Sequence, residues 1–183
     1  LVAHLHALVV AAGGLHHQLA FARVVAARRL DVDVLAGGAA QDRRGRVPVR
    51  ADQSVAVVFL ATRYQIVDEC GRYRDDIRWV GVGDSPSDDE IGWALEAARG
   101  VDSIIVWTQD AFNNPRQQAL VNALPGDKTT AVALWSPYDG ETYPNVAAYL
   151  TTYSPARPAV PAACAILFGA QPALGRWVMG FGG

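Results

Sequence analysis

The fold is decided by the stretch from Ser103 to Trp135, which reads SIIVWTQDAFNNPRQQALVNALPGDKTTAVALW. Two apolar runs rich in strand-forming residues flank a segment of helix length. Asn114 followed by Pro115 is typical of a helix start, because Asn accepts hydrogen bonds from the first turn and Pro fits the first helical position. Pro125 and Gly126 end that helix. The order strand, helix, strand predicts a right-handed unit with two parallel strands.

Two further strands are predicted upstream. The run from Val55 to Leu60 is apolar without interruption, as expected of a strand buried on both faces of a parallel sheet. Arg78 to Val82 is a shorter strand, and Ser87 with Glu90 three residues later forms a capping box that starts another helix.

The whole pattern predicts an α/β, three-layer sandwich with a mostly parallel sheet and helices on both faces, preceded by a helical N-terminal arm. Residues 1–50 are expected to form the arm and a loop, and residues 51–183 the sandwich. The arm's helix is predicted over His16 to Leu30, and an exposed loop over Gly37 to Arg50. A last strand around Ala148 to Tyr153 and a helix near Ala159 to Phe168 complete the sandwich.

Size and composition exclude several classes of protein. The chain has 183 residues, 51% hydrophobic and 19% charged, with a formal net charge of −2. These values fit one globular domain and exclude a disordered chain or a strongly basic nucleic-acid binder. Residues 1–22 carry no Asp, Glu, Lys or Arg, but their four histidines and paired glycines argue against a membrane span, and no positive charge precedes them as in a signal peptide. The first residue is Leu1, so we expect a processed or partial product, or one subunit of something larger; the compartment stays open.

No cofactor or metal site is expected. Cys70 and Cys164 are too few and too far apart in sequence for a disulfide framework or a zinc site. The four histidines lie between residues 4 and 17 without the i,i+4 spacing that puts two ligands on one helix face. Gly81-Val82-Gly83 follows a strand, but Pro86 stands where a dinucleotide fingerprint needs its third glycine. Phosphate-loop and nucleophile-elbow motifs are absent from the sequence.

Polar residues after the strands are the candidates for contact with a ligand or partner. Ligands of open parallel sheets gather at the carboxyl ends of the strands, because loops converge there. The loops at this edge are predicted over 61–64, 83–86, 108–114 and 136–143. The candidates in them are Asp110, Asn113, Asn114, Tyr138, Asp139 and Glu141. Asn114 is also explained as a helix cap, and Asp139-Gly140 as ordinary turn chemistry.

Four segments in a fixed order resemble a known family. They are residues 108–124 with their Asn-Pro-x-Gln helix start, residues 131–139 ending in Ser-Pro-Tyr-Asp, residues 149–154 reading Tyr-Leu-Thr-Thr-Tyr-Ser, and residues 166–176 with Leu-Phe-Gly and Gly-Arg. This series resembles the C-terminal α/β sandwich domain of glycoside hydrolase family 3, in its bacterial β-N-acetylhexosaminidase-like branch. The resemblance covers roughly residues 53–178.

The resemblance implies that the catalytic groups lie elsewhere. Retaining glycosidases need a carboxylate nucleophile and an acid/base. In this family the nucleophile belongs to a (β/α)₈ barrel that precedes the sandwich, and in the hexosaminidase-like branch the acid/base also lies on the barrel. The β-glucosidase-like members place an acid/base Glu in the loop that corresponds to residues 108–114, where this chain has Asp110 and no Glu. We therefore assign no catalytic residue.

Three functions follow as hypotheses. The first is a non-catalytic domain or subunit of a family 3 β-glycosidase, supporting a barrel not present in this chain, so that the partner is a protein. The second is a domain of the same fold recruited as a structural or assembly subunit, which the uncharged segment 1–22 favours because such a segment is poorly solvated alone. The third is a carbohydrate-binding module, supported only by the number of Trp and Tyr residues.

Overall fold

The computed structural model describes residues 39–42, 44–156 and 158–175, and its centre is one six-stranded sheet. The strands are β1 Ala39–Asp42, β2 Val55–Leu60, β3 Arg78–Val82, β4 Ser103–Thr108, β5 Thr129–Ala133 and β6 Ala148–Thr151. The helices are α1 Gln65–Cys70, α2 Asp88–Ala97, α3 Pro115–Ala123 and α4 Ala159–Leu167. The order across the sheet is β1-β6-β5-β4-β2-β3, in which β2 to β6 run parallel and β1 runs antiparallel to β6.

Helices cover both faces of the sheet, so the predicted three-layer sandwich is confirmed. Successive strand residues point to opposite faces. In β2, Ala56, Val58 and Leu60 join one hydrophobic cluster with side chains of α2 and α3. Val57 and Phe59 join a second cluster with side chains of α1 and α4. Burial on both faces explains why this strand is apolar throughout.

The local helix signals are found where the sequence places them. The Ser87 hydroxyl accepts from the Glu90 amide at 3.3 Å, and the Glu90 carboxylate accepts from the Ser87 amide at 2.7 Å. The Asn114 side chain accepts from the amides of Arg116 and Gln117 at the start of α3. These contacts satisfy amides that have no partner inside the helix.

The segment predicted as an exposed loop over Gly37 to Arg50 contains a strand instead. Ala39–Asp42 form β1, which pairs with Ala148–Thr151 of β6. This strand exists through pairing with a distant part of the chain, which local sequence does not reveal. The arm helix predicted over His16 to Leu30 lies outside the described residues, and the division of the chain at residues 50 and 51 stays a prediction. Within the part that is described, no helix is both long and apolar enough to cross a membrane.

The two cysteines form a disulfide, which the sequence separation of 94 residues had argued against. Cys70 ends α1 and Cys164 lies within α4, and both are fully buried. Both helices pack on the same face of the sheet, so the Cα atoms are 5.0 Å apart, within the range that a disulfide spans. The fold, rather than spacing in the sequence, brings them together.

Candidate functional site

The carboxyl ends of β2, β3, β4 and β5 meet at one edge of the sheet, which we call the carboxyl edge. It is formed by the loops 61–64, 83–86, 109–114 and 134–143; the sequence predicts the first two with these bounds and the last two as 108–114 and 136–143. The structure therefore brings the loops that carry the six candidate residues to one edge. Their side chains differ in exposure and in partners.

Asp139 is a buried residue of this edge that connects two of its loops. Its side chain is 0% exposed, and its carboxylate accepts from the Phe112 amide at 2.9 Å and from the Thr108 hydroxyl at 3.3 Å. These bonds tie the loop after β5 to the loop after β4. Burial raises the pKa of Asp139 above its ordinary value, against the opposite effect of the hydrogen bonds. Asp139 thus holds two loops together from beneath the surface.

Asp110 and Asn113 form a small unit in the loop after β4. Asp110 has a φ of 56°, in the left-handed region that Asp and Asn tolerate better than most residues. Its carboxylate accepts from the Asn113 side-chain amide at 2.9 Å. The pair shapes a single turn of 3-10 helix, Ala111–Asn113, with Asp110 half-buried and Asn113 exposed.

Asn114 and Gln117 connect the loop after β3 to the start of α3. Both side-chain amides donate to the Asp84 carbonyl, each at 2.8 Å. Gln117 is only 2% exposed, and its carbonyl oxygen accepts from the Gln109 amide at 2.9 Å. One buried side chain therefore joins three segments of the carboxyl edge. Gln117 is not among the residues predicted from the sequence; its place in the Asn-Pro-x-Gln helix start is the available signal.

The loop after β2 is tied to its neighbours by two hydrogen bonds. The Thr62 hydroxyl donates to the Asp84 carboxylate at 2.6 Å, and Arg63 Nε donates to the Gln109 side chain at 2.7 Å. The carboxyl edge is thus a network of loops that brace one another.

Aromatic side chains are exposed at the same edge. Tyr64 follows β2, Phe112 follows β4, and Trp135 and Tyr138 follow β5. Trp135 is 54% exposed, and the rings of Phe112 and Tyr138 touch at a centroid distance of 5.9 Å. We call these four residues the edge aromatics. Exposed aromatic rings on an otherwise well-packed domain are typical of an interaction surface. Of the four, only Tyr138 was a candidate from sequence.

The arrangement offers little for acid/base chemistry. Retaining hydrolysis needs two carboxyl groups that both reach the sugar. Asp139 is 0% exposed and cannot do so, and one oxygen of Asp110 accepts from the Asn113 side chain. Glu141 is exposed in a turn that the Thr142 hydroxyl closes by donating to the Asp139 carbonyl. Among the described residues, no group of three or more His, Cys, Asp or Glu side chains could hold a metal ion.

Known structures share this fold. The sequence matches no model of a known protein family and no curated protein. A glycoside hydrolase family 3 β-N-acetylglucosaminidase from Paenibacillus sp. str. FPU-7 superposes with a TM-score of 0.68 at 18% identity, covering 76% of this chain and 30% of that one. A fungal multi-domain family 3 β-N-acetylglucosaminidase gives a TM-score of 0.62 at 19% identity, over 80% of this chain and 18% of its own. A β-glucosidase from Listeria innocua gives 0.58 at 14% identity, over 73% of this chain and 24% of its own.

These superpositions confirm the fold that the sequence resemblance implies. The chain spans less than a third of the length of each of these enzymes, as a single domain of a larger protein does. At such identities the likeness establishes the shared α/β sandwich.

Proposed function

We propose that this chain is the non-catalytic α/β sandwich of a family 3 β-glycosidase of the β-N-acetylhexosaminidase-like branch, and that it acts by packing against a catalytic barrel. The observation that supports the proposal most strongly is that the loops of the carboxyl edge bond to one another through a buried carboxylate. Its buried carboxylate, Asp139, is committed to the Phe112 amide and the Thr108 hydroxyl. The edge is built to be rigid and to present a surface rather than to hold a reacting sugar.

The position of β1 supports a catalytic domain next to this edge. Because β1 is antiparallel to β6, Ala39 pairs with Thr151 at the carboxyl end of β6. The polypeptide therefore enters the sheet at the carboxyl edge. Strand β1 thus begins on the side of the sheet that carries the edge aromatics.

The exposed candidates fit the rim of such an interface. Interfaces combine a core of large aromatic anchors with a polar, partly solvated rim. Trp135 and Tyr138 have the size of anchors, while Asn113 and Glu141 are exposed polar groups in the same loops. We assign Asp110, Asn114 and Asp139 to shaping this surface, since each is engaged with other loop atoms.

The test begins with the coding sequence. The proposal requires a barrel-coding segment in the same reading frame upstream of residue 1. That barrel is then produced as a separate chain, and its affinity for this chain is measured by calorimetry. Trp135→Ala should weaken binding at least tenfold, as expected when an aromatic anchor is removed.

Trp93→Ala is the matched control. Trp93 is 59% exposed but lies on α2, outside the carboxyl-edge loops. Its removal should change the affinity less than twofold. Absence of an encoded barrel, or equal effects of the two substitutions, would refute the proposal.

A further inference from the structure

The short helix α1 is held by its packing against α4. It has six residues, no side-chain cap at its start, and only Ile66 and Cys70 buried. Helices of this length do not persist in water without tertiary support. The preceding turn, Ala61–Arg63, has no buried residue. This turn and the adjoining Tyr64 connect β2 directly to α1.

Besides the apolar packing of Ile66 and Val67, two contacts join the end of α1 to α4 and the residue that follows it. One is the Cys70–Cys164 disulfide, fully enclosed in the cluster that also contains Val160. The other is a stack of the Tyr73 and Phe168 rings, with centroids 5.7 Å apart. The ring stack is partly open to solvent, whereas the disulfide is buried and covalent. The disulfide is therefore the stronger of the two connections.

The loop after β2 links α1 to the carboxyl edge. Thr62 and Arg63 bond to Asp84 and Gln109 in the neighbouring loops. A displacement of α1 would carry these two residues with it and leave the loops after β3 and β4 without those partners.

We propose that the Cys70–Cys164 disulfide is a structural staple that fixes α1 and, through it, one side of the carboxyl edge. The oxidised domain presents a complete edge, and the reduced domain keeps its sheet but releases residues 61–72. The inference concerns the state of this chain and does not depend on the proposed glycosidase role.

Formation of the staple needs an external oxidant. Each thiol loses one proton and one electron as the S–S bond forms. A disulfide-bearing oxidant, such as oxidised glutathione or a thiol–disulfide oxidoreductase, takes up two electrons and two protons and becomes two thiols. The Cys70–Cys164 disulfide therefore forms where such an oxidant is supplied.

The first measurement counts thiols. The full chain, purified without reductant and unfolded in denaturant, should show no reactive thiol before reduction and two afterwards. Two reactive thiols before any reduction would overturn the proposal.

The second measurement follows hydrogen exchange for one minute in the native state. The peptide covering residues 61–72 should stay protected in the oxidised chain and take up deuterium in a Cys70→Ala/Cys164→Ala chain. The peptide covering residues 129–135, in the centre of the sheet, should stay protected in both. The double variant should also melt about 10 °C lower, because it loses a cross-link that closes a long loop.

A wild-type chain reduced and then reoxidised with oxidised glutathione supplies a second test that needs no substitution. Protection of residues 61–72 should fall on reduction and return on reoxidation. Equal protection of these residues in both states would contradict the staple, and so would loss of protection at residues 129–135 within the same minute.

Discussion

Replacing Gln117 with Met tests whether one buried amide braces the carboxyl edge. Methionine has nearly the same length and remains apolar, so the substitution removes the hydrogen bonds and conserves the packing volume. The wild-type side chain accepts from the Gln109 amide at 2.9 Å and donates to the Asp84 carbonyl at 2.8 Å.

The loss of stability depends on whether the Asp84 carbonyl and the Gln109 amide keep a hydrogen-bond partner in the variant. The Asp84 carbonyl still accepts from Asn114 at 2.8 Å, so it retains a partner. The Gln109 amide is partly buried and is left without its acceptor. An unsatisfied buried donor costs about 1–3 kcal/mol, so we expect Gln117→Met to lower the free energy of unfolding by about 2 kcal/mol.

Urea denaturation followed by circular dichroism measures this loss. Gln65→Met is the matched control, because Gln65 is half-buried at the start of α1. The control should change stability by less than about 0.5 kcal/mol. If Gln117→Met were no less stable than Gln65→Met, the bracing role of Gln117 would be refuted.

Four further substitutions test stability. Gly126→Ala should destabilise the fold by about 1–3 kcal/mol in urea, because an added Cβ would lie 2.9 Å from the backbone carbonyl carbon of Asn145. Gly92→Ala, in α2 with no atom within 4 Å of the new Cβ, should stabilise the fold by about 0.5–1 kcal/mol. If both glycine variants changed the free energy of unfolding in the same direction, the packing around these two glycines would be contradicted. Ser87→Ala removes the capping side chain of α2 and should cost about 1 kcal/mol by thermal unfolding, and an unchanged melting temperature would count against the cap. Because burial raises the pKa of Asp139, the folded chain keeps that proton to higher pH than the unfolded chain. The wild-type free energy of unfolding should therefore fall relative to Asp139→Asn as pH rises from about 4 to 7, and a constant difference would show that the carboxyl is not buried as described.

The elements that sequence predicts well are those whose signal is local or continuous. The run Val55–Leu60 reads as a strand because both of its faces are buried. The capping box of Ser87 and Glu90, which lie within four residues of each other, predicts the start of α2. Such patterns depend on short-range hydrogen bonds or on uniform burial, which neighbouring residues reveal.

The elements that sequence does not predict owe their form to distant contacts. Only two residues of α1 are buried, too few for a helical pattern, and its anchor Cys164 is 94 residues beyond Cys70. Strand β1 takes shape by pairing with β6. At the carboxyl edge, turn chemistry explains why Asp139 precedes a glycine, but the loop that covers it follows β4. Its burial therefore depends on the assembled fold.

The decisive measurement is whether the isolated chain hydrolyses a glycoside. The purified 183-residue chain, with its disulfide formed, is incubated with an aryl β-N-acetylglucosaminide. We expect a rate equal to that of buffer, since Asp139, the carboxyl group enclosed by the loops of the carboxyl edge, is 0% exposed and cannot reach a sugar. Turnover that co-purifies with the chain and disappears in Asp110→Asn would contradict it.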